Sequence, residues 1–327
     1  MSENVVIMGA GGASGQRIAR LLSARGVALT LAGRRRATLA PLAEELGTSF
    51  TEADIASPEP LLAGARMLVN TVGPFAPYAV QAAQACLKAG IPYIDIANEL
   101  RVVQRLLALA GQARAAGTVV VTGAGFGPAV TESLLLQLMA GDTGGFAGVT
   151  VAAAPAAEGA SPGVQATVAQ AVVEGAAWYK GGTLRTEPLG TGATGIRLGG
   201  QPWQVLPAPV ADLEVARRTS NAPDVIAYFA APRQRPAEGQ TSYAYAEVRR
   251  ADGGKKASVA SLGLGLDVTA VVACETACRV LAGDLGAGPG AWTPGALYGA
   301  DLVSTACDMT IEPADPDTTW QAAGAAQ

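Results

Sequence analysis

The sequence predicts an α/β protein, on three observations. Strand-like runs of four or five residues alternate with helical patterns through the first 125 residues. The first run leads straight into a glycine-rich turn, Gly9-Ala10-Gly11-Gly12-Ala13-Ser14-Gly15. After about Ala140 the alternation stops, and short strands and turns rich in glycine and proline take over. Strands joined through helices of about ten residues or more make right-handed crossovers and hence a parallel sheet. The expected architecture is a doubly wound Rossmann-type parallel-sheet domain with a smaller α+β second domain, and 327 residues suffice for both.

The first domain's strands are expected at Val5–Met8, Val27–Leu31, Met67–Thr71, Tyr93–Ile96 and Thr118–Thr122, with a weaker one at Thr48–Thr51. The helices between them are Ser14–Ser23, Ala37–Leu46, Ala79–Lys88 and Leu100–Ala115. Ligands on such sheets lie beyond the carboxyl ends of the strands. Four turns are singled out in this way: Gly9–Gly15, Thr71–Tyr78, Ala97–Glu99 and Gly123–Pro128. In the second domain, Val149–Ala154 reads as a strand, Val164–Trp178 as a long helix, and Gly181–Pro209 as short strands and turns. Tyr243–Arg250 and Lys255–Leu262 flank Asp252-Gly253-Gly254 and form a hairpin, because Asp-Gly is a preferred turn. Leu266–Leu281 is a helix, apolar on most sides and therefore buried. Ala296–Thr305 is helical, and the tail after Pro316 is loose. The domains are thus residues 1–130, with 290–327 returning to them, and residues 131–289, a substrate or dimerisation domain.

Half the residues are apolar and 15% are charged, a globular composition. A net charge of −4 gives no support to a nucleic-acid or anionic-membrane partner. No signal peptide opens the sequence, and the apolar stretch over residues 145–157 is too short to span a bilayer, so a cytoplasmic protein is expected. Cys86, Cys274, Cys278 and Cys307 lie in apolar or helical contexts and read as reduced core residues. Histidine is absent. That removes Ser-His-Asp and Cys-His catalysis and most catalytic zinc sites, and no metal is expected. Proton transfer is left to Tyr, Lys, Asp, Glu, Cys or water.

The glycine turn between a strand and a helix suits a dinucleotide: bare backbone approaches the pyrophosphate, and N–H groups at the helix start hold the anion. No acidic residue stands between Glu3 and Glu44 to bind a free ribose 2′-hydroxyl. Arg34-Arg35-Arg36 stand where the second strand ends, and a guanidinium suits a 2′-phosphate. The expected cofactor is therefore NADP(H), held by Gly9, Gly11, Gly12, Ala13, Ser14, Gly15, Arg34 and Arg35. The bland alternative is a solvated basic turn beside a plain tight turn. Val72-Gly73-Pro74 should bring backbone beside the nicotinamide ribose, or else be an ordinary strand-to-helix turn. Asp54 either lies near the adenine or caps the next turn.

Together with Ala32-Gly33-Arg34, Val69-Asn70-Thr71-Val72-Gly73-Pro74-Phe75, Tyr93-Ile94-Asp95-Ile96-Ala97-Asn98-Glu99 and Gly125-Phe126-Gly127-Pro128, this order of motifs resembles the saccharopine dehydrogenase-like reductases. That group also includes trans-acting enoyl reductases of polyketide and lipid pathways. The resemblance covers the first 130 residues, and Thr293-Pro294 with the following helix resembles the family's C-terminal return. The middle third matches only in layout. The family's pattern has Gly where Asn98 stands and a polar residue, often Asp, where Gly127 stands; both departures lie at the substrate end.

Catalytic candidates are Tyr78, Glu99 and Lys180. A phenol at Tyr78, in the first turn of a helix, is placed to donate a proton, or else packs its ring. Glu99 holds a substrate amine or acts as an acid; alternatively it serves the helix start, with Asn98 as N-cap. Asp95 is read as loop support. Lys180, taken to end a helix, binds a substrate carboxylate, donates a proton, or is a surface lysine. Arg217, Arg218, Arg233 and Arg235 are candidates for an anion clamp. Phe126, Trp178 and Trp203 line a pocket or pack in the core. No Lys has a Tyr four residues before it, so the short-chain dehydrogenase pair is missing. The expected reaction is NADPH-dependent reduction of an imine in a small amine- or acid-containing substrate. The rivals are reduction of an enoyl C=C, with a carrier protein as partner, and an NADP(H) sensor without turnover. A homodimer is plausible.

Overall fold

The computed structural model describes residues 4–142, 144–156, 165, 169, 172–230 and 241–321. Two compact units emerge: Met1–Ala97, Arg101–Gly125 and Leu266–Tyr298 form the first, and Asn98–Leu100, Phe126–Gly265 and Gly299–Gln327 the second.

The first unit alternates β1 (Asn4–Met8), α1 (Ala13–Ala24), β2 (Leu29–Gly33), α2 (Arg36–Leu46), β3 (Ser49–Glu52), α3 (Glu59–Leu62), β4 (Ala65–Asn70), α4 (Ala79–Ala89), β5 (Tyr93–Asp95), α5 (Leu100–Leu107), α6 (Ala110–Ala115) and β6 (Val119–Val121). The strands are short and apolar because a parallel sheet is covered on both faces. Val5, Ile7, Leu31, Met67, Val69 and Ile94 are buried to within 1%. All pairings in this seven-stranded sheet are parallel, in the order β15-β6-β5-β4-β1-β2-β3, where β15 is Gly290–Trp292. The order reverses between β1 and β4. Crevices at such a reversal are where doubly wound sheets take their ligands.

The second unit holds α7 (Phe126–Met139), β7 (Phe146–Ala154), β8 (Ala176–Lys180), β9 (Thr183–Glu187), β10 (Thr194–Leu198), β11 (Gln201–Pro207), α8 (Ala211–Ser220), β12 (Asp224–Ala230), β13 (Ser242–Arg250) and β14 (Lys255–Leu262). Its ten-stranded sheet runs β16-β14-β13-β7-β12-β11-β10-β17, with β8 paired to β12 and β9 to β8; β16 is Thr310–Ala314 and β17 is Trp320–Gln321. Among the described residues only β7 and β12 pair in parallel in this sheet. Helix α7 packs on β13 and β14, and α8 on β7 and β12. An apolar cluster including Tyr245, Trp203, Ile196 and Leu198 carries the Trp320 ring, 4.9 Å from Tyr228 and 5.4 Å from Tyr245 between centroids.

Four expectations need correction. The return to the first unit starts with α9 (Gly265–Leu281), tied by Arg17–Asp267 and Arg25–Glu275 ion pairs of 2.7 Å, and ends with α10 (Pro294–Tyr298). Gly299, at φ +87, ends that helix, so the stretch expected as one helix over Ala296–Thr305 becomes α10 and α11 (Asp301–Ala306). Residues beyond it belong to the second sheet, not to the first domain. The stretch after Asp315 is built: Asp315 caps α12 (Pro316–Thr319) by accepting Asp317 N–H, and β17 pairs with β10, while residues 322–327 lie outside the described residues. The long helix expected over Val164–Trp178 ends instead in strand β8; its residues 164, 166–168, 170 and 171 lie outside the described residues. Lys180 and Thr183 face each other across Gly181-Gly182, at φ +56 and +76, the two positive values a tight hairpin turn demands.

Candidate functional site

Strand β1 ends in Gly9, which takes φ +87 and donates its N–H to the Ala32 carbonyl at 2.8 Å. A Cβ on Gly9 would stand 2.6 Å from Thr71 Oγ1 and 2.9 Å from Val72. One on Gly15 would overlap the Gly9 carbonyl, and one on Gly11 the Thr38 hydroxyl. The turn is therefore as tight as bare backbone permits. Helix α1 begins at Ala13 with no side-chain cap and no acid in its first turn. The N–H groups of Ala13, Ser14 and Gly15 have no acceptor among the described residues. Unpaired N–H groups on the positive end of a helix suit a phosphate.

Beyond β2 the three arginines differ. Arg36 lies 3.9 Å from Glu52 and 5.0 Å over the Phe50 ring. Arg34 and Arg35 are exposed, with no ion pair among the described residues. The Arg35 carbonyl accepts the Thr38 N–H at 3.1 Å and its hydroxyl at 3.0 Å, which fixes the backbone there. Asp54 turns its Oδ1 to the Ala56 N–H at 3.0 Å, capping the next turn.

A buried polar chain runs under the carboxyl ends of β4, β5 and β6. Asn70 Oδ1 accepts Val72 N–H at 3.0 Å, and Asn70 Nδ2 donates to Tyr93 Oη at 3.0 Å. Tyr93 donates to Asp95 Oδ2 at 2.9 Å. Asp95 Oδ1 accepts Thr122 Oγ1 at 2.8 Å, Ala97 N–H at 3.1 Å and Gly123 N–H at 3.2 Å. Burial pushes the Asp95 carboxyl up to about 6 against the pull of these donors, and pushes the Tyr93 phenol well up too. The chain fixes the first residue of the Val72-Gly73-Pro74 turn, whose Gly73–Pro74 bond is cis. Of its members only Asp95 was singled out in the sequence. The available signal for the others was polar residues ending or opening apolar strands.

Tyr78 begins α4 and is 38% exposed, so its phenol is open to solvent. Glu99 is buried, and its Oε2 accepts the Asn98 N–H at 3.1 Å. Asn98 is not the cap expected, for its Oδ1 is buried without a partner among the described residues. Instead Asn98–Leu100 runs antiparallel to Pro209–Ala211: Leu100 N–H donates to Pro209 O and Ala211 N–H to Asn98 O, both at 2.9 Å.

Lys180 is not brought to Glu99. It ends strand β8 and pairs with Asp224 at 2.6 Å. Its neighbour Tyr179 donates to Glu214 of α8 at 2.8 Å, so lysine and α8 lie on opposite faces of the strand. Lys180 lines a cavity of about 230 Å³ with Trp178, Asp224, Glu247 and Arg249. Arg217 and Arg218 both clasp buried Glu214 at 2.6 Å, which occupies them otherwise than in an anion clamp. Arg233 and Arg235 lie outside the described residues. Phe126 and Trp203 are buried. Among the described residues, no helix is long and apolar enough to cross a membrane.

Residues 5–121 match the model of the saccharopine dehydrogenase NADP binding domain. Proteins named trans-acting enoyl reductase from Mycobacterium tuberculosis and Mycobacterium leprae are 30% identical to the chain over 146 residues, 41% of this chain and 35% of theirs. The chain thus matches about a third of the length of these relatives. The fold is similar to that of a saccharopine dehydrogenase (L-Glu forming) from Saccharomyces cerevisiae, with a TM-score of 0.68, 12% identity, and coverage of 96% of this chain and 100% of that one. An amine dehydrogenase from Mycobacterium smegmatis follows at a TM-score of 0.56 and 15% identity, over 91% and 96%.

Proposed function

We propose that the chain is an NADPH-dependent reductase of a small metabolite, acting most readily on a C=N bond in an amine- or acid-containing substrate. The observation that carries the cofactor choice is the pair Arg34 and Arg35, exposed and without ion pairs among the described residues where β2 ends, on a backbone that Thr38 fixes at Arg35. Guanidinium groups there bind a 2′-phosphate, and no carboxylate is near in sequence to bind a free ribose hydroxyl. The amides of Ala13, Ser14 and Gly15 take the pyrophosphate, with Gly9, Gly11 and Gly12 keeping the approach clear. Val72, Gly73 and Pro74 offer backbone to the nicotinamide end.

When bound, NADPH supplies a hydride. The substrate carbon receives it, and the substrate nitrogen takes a proton from Tyr78, Glu99 or water. Tyr78 stands at the start of α4 and is exposed, so its hydroxyl is open to a substrate. Lys180 has no part in this step, being held by Asp224.

A second reading, reduction of an enoyl C=C with a carrier protein as partner, takes its support from the name of the mycobacterial relatives. NADPH consumption by the purified chain, assayed with cyclic imines and with enoyl thioesters, separates the two. Turnover with imines supports the first reading. Turnover only with enoyl thioesters replaces it by the second. NADPH binding without turnover on either would make the chain a cofactor sensor.

A further inference from the structure

One chain of buried side chains joins the backbone where three ligand-side turns begin. Asn70, Tyr93, Asp95 and Thr122 are all fully buried. Asn70 ends β4, Tyr93 and Asp95 lie on β5, and Thr122 follows β6. At one end Asn70 accepts the Val72 N–H at 3.0 Å; at the other Asp95 accepts the N–H groups of Ala97 and Gly123 at 3.1 and 3.2 Å. Tyr93 is the link between the ends. Its Oη receives Asn70 Nδ2 at 3.0 Å and donates to Asp95 Oδ2 at 2.9 Å.

Counting protons fixes the direction of the chain. An ionised carboxylate only accepts, so the Tyr93 hydroxyl gives its single proton to Asp95. The phenol oxygen is then left to accept, which turns the Asn70 amide nitrogen toward it. The Asn70 carbonyl oxygen, an acceptor only, is thereby left facing the Val72 N–H. A carboxylate on the neighbouring strand thus decides which way this asparagine presents itself to the Val72-Gly73-Pro74 turn. A Phe at position 93 would fill the same core, and a buried hydroxyl is costly unless both its sides are used, as they are here. The pyrophosphate turn is anchored separately: the N–H groups of Gly9 and Ala10 reach the Ala32 carbonyl at 2.8 and 3.2 Å, and that of Gly12 reaches the Gly9 carbonyl at 2.9 Å.

From this geometry we infer that Tyr93 is a positioning residue for the nicotinamide, acting through Asn70 on the backbone at Val72 and taking no part in holding the adenosine end. Resting on the reductase reading, the inference deepens it by naming what keeps the hydride-donating end of the cofactor in place. Fully buried, Tyr93 touches neither cofactor nor substrate and acts only along its hydrogen bonds.

Equilibrium titrations of the full chain with NADPH and with adenosine 2′,5′-bisphosphate, which carries the adenosine end and no nicotinamide, test this. Tyr93→Phe keeps the ring and breaks the chain. It is expected to bind NADPH about fivefold or more weakly than wild type and the bisphosphate within about twofold, the loss corresponding to one hydrogen bond. Asp95→Asn, which places an amide where Tyr93 meets a carboxylate, is expected to show the same split. The fluorescence of bound NADPH, which reports the surroundings of the nicotinamide, should change in both variants. Bisphosphate binding shows that the nucleotide-binding fold is kept. Where neither variant binds the bisphosphate, hydrogen exchange of wild type decides: with each ligand at the same multiple of its Kd, the Ala97 and Gly123 amides should be protected more by NADPH than by the bisphosphate. An equal change for the two ligands in variants that still bind the bisphosphate would overturn the inference, as would equal protection in wild type. Wild type that does not bind NADPH removes the reductase reading itself, whereas wild-type binding without the split in the variants removes this inference alone.

Discussion

Asp95 and Asp212 are both fully buried, and burial pushes both carboxyls up to about 6, yet their surroundings are opposite. Asp95 accepts four hydrogen bonds, from Tyr93, Ala97, Thr122 and Gly123. Asp212 accepts one from another side chain, and its Oδ2 has none among the described residues. A carboxylate surrounded by donors on strand ends and turns ties those segments together, and any ligand would find its lone pairs taken. A carboxylate that packs beside a glycine and takes one side-chain donor ties fewer segments together. The same elevated pKa therefore accompanies a structural keystone in one unit and a packing contact between α7 and α8 in the other. Hydrogen-bond satisfaction separates them where titration does not.

The largest effect expected is at Asp95. Asp95→Ala leaves two hydroxyls and two N–H groups buried without their acceptor, and should cost about 4 kcal/mol of stability in urea denaturation. A loss below about 1 kcal/mol would mean that the network is not a keystone, and the contrast with Asp212 would vanish.

Asp212→Asn should act the other way. Each carboxyl sits near 6 in the fold against 3.8 for an ordinary aspartate. A folded value above the unfolded one means that protonation favours folding. The contribution is complete below about pH 4 and is lost as pH rises through about 6. Above that pH the charged Asp212 penalises the fold, so Asp212→Asn should gain about 2 kcal/mol at pH 8 and little at pH 4. Stability curves across this range, fitted for wild type and variant, measure the difference. A loss at pH 8 would show that Asp212 is already satisfied in the folded chain.

Lys180→Met should change stability by less than about 0.5 kcal/mol, because its partner Asp224 also takes the Gly181 N–H and the lysine is two-thirds exposed. Turnover of this variant should match wild type. A strong loss of turnover would return Lys180 to the chemistry.

Much of the first unit could be read in advance. Its strands and helices announce themselves by short apolar runs, and its ligand-side turns follow from the parallel order that those runs imply. The second unit was harder because its decisive signals are local turns. Ala176-Ala177-Trp178-Tyr179-Lys180 reads as the end of a helix until Gly181-Gly182 is recognised as a two-residue hairpin turn. The tail after Pro316 reads as loose because the sheet that residues 310–321 join, through β14 and β10, lies far away in sequence. Asp212 was missed for a related reason. An acid in the first turn of a helix is ordinary, and only the fold reveals that it fills the space beside Gly127. Asn70 and Tyr93 likewise look like strand residues until the register of β4 and β5 brings them together.

The grip of Arg34 and Arg35 on a 2′-phosphate is the claim on which the proposed function rests, and paired titrations of NADPH and NADH test it most directly. Wild type should bind NADPH about 10–100-fold more tightly than NADH, and the double substitution Arg34→Ala with Arg35→Ala should erase that preference while leaving NADH affinity unchanged. Equal affinity for the two cofactors in wild type, or an NADPH preference that survives the double substitution, would contradict the account.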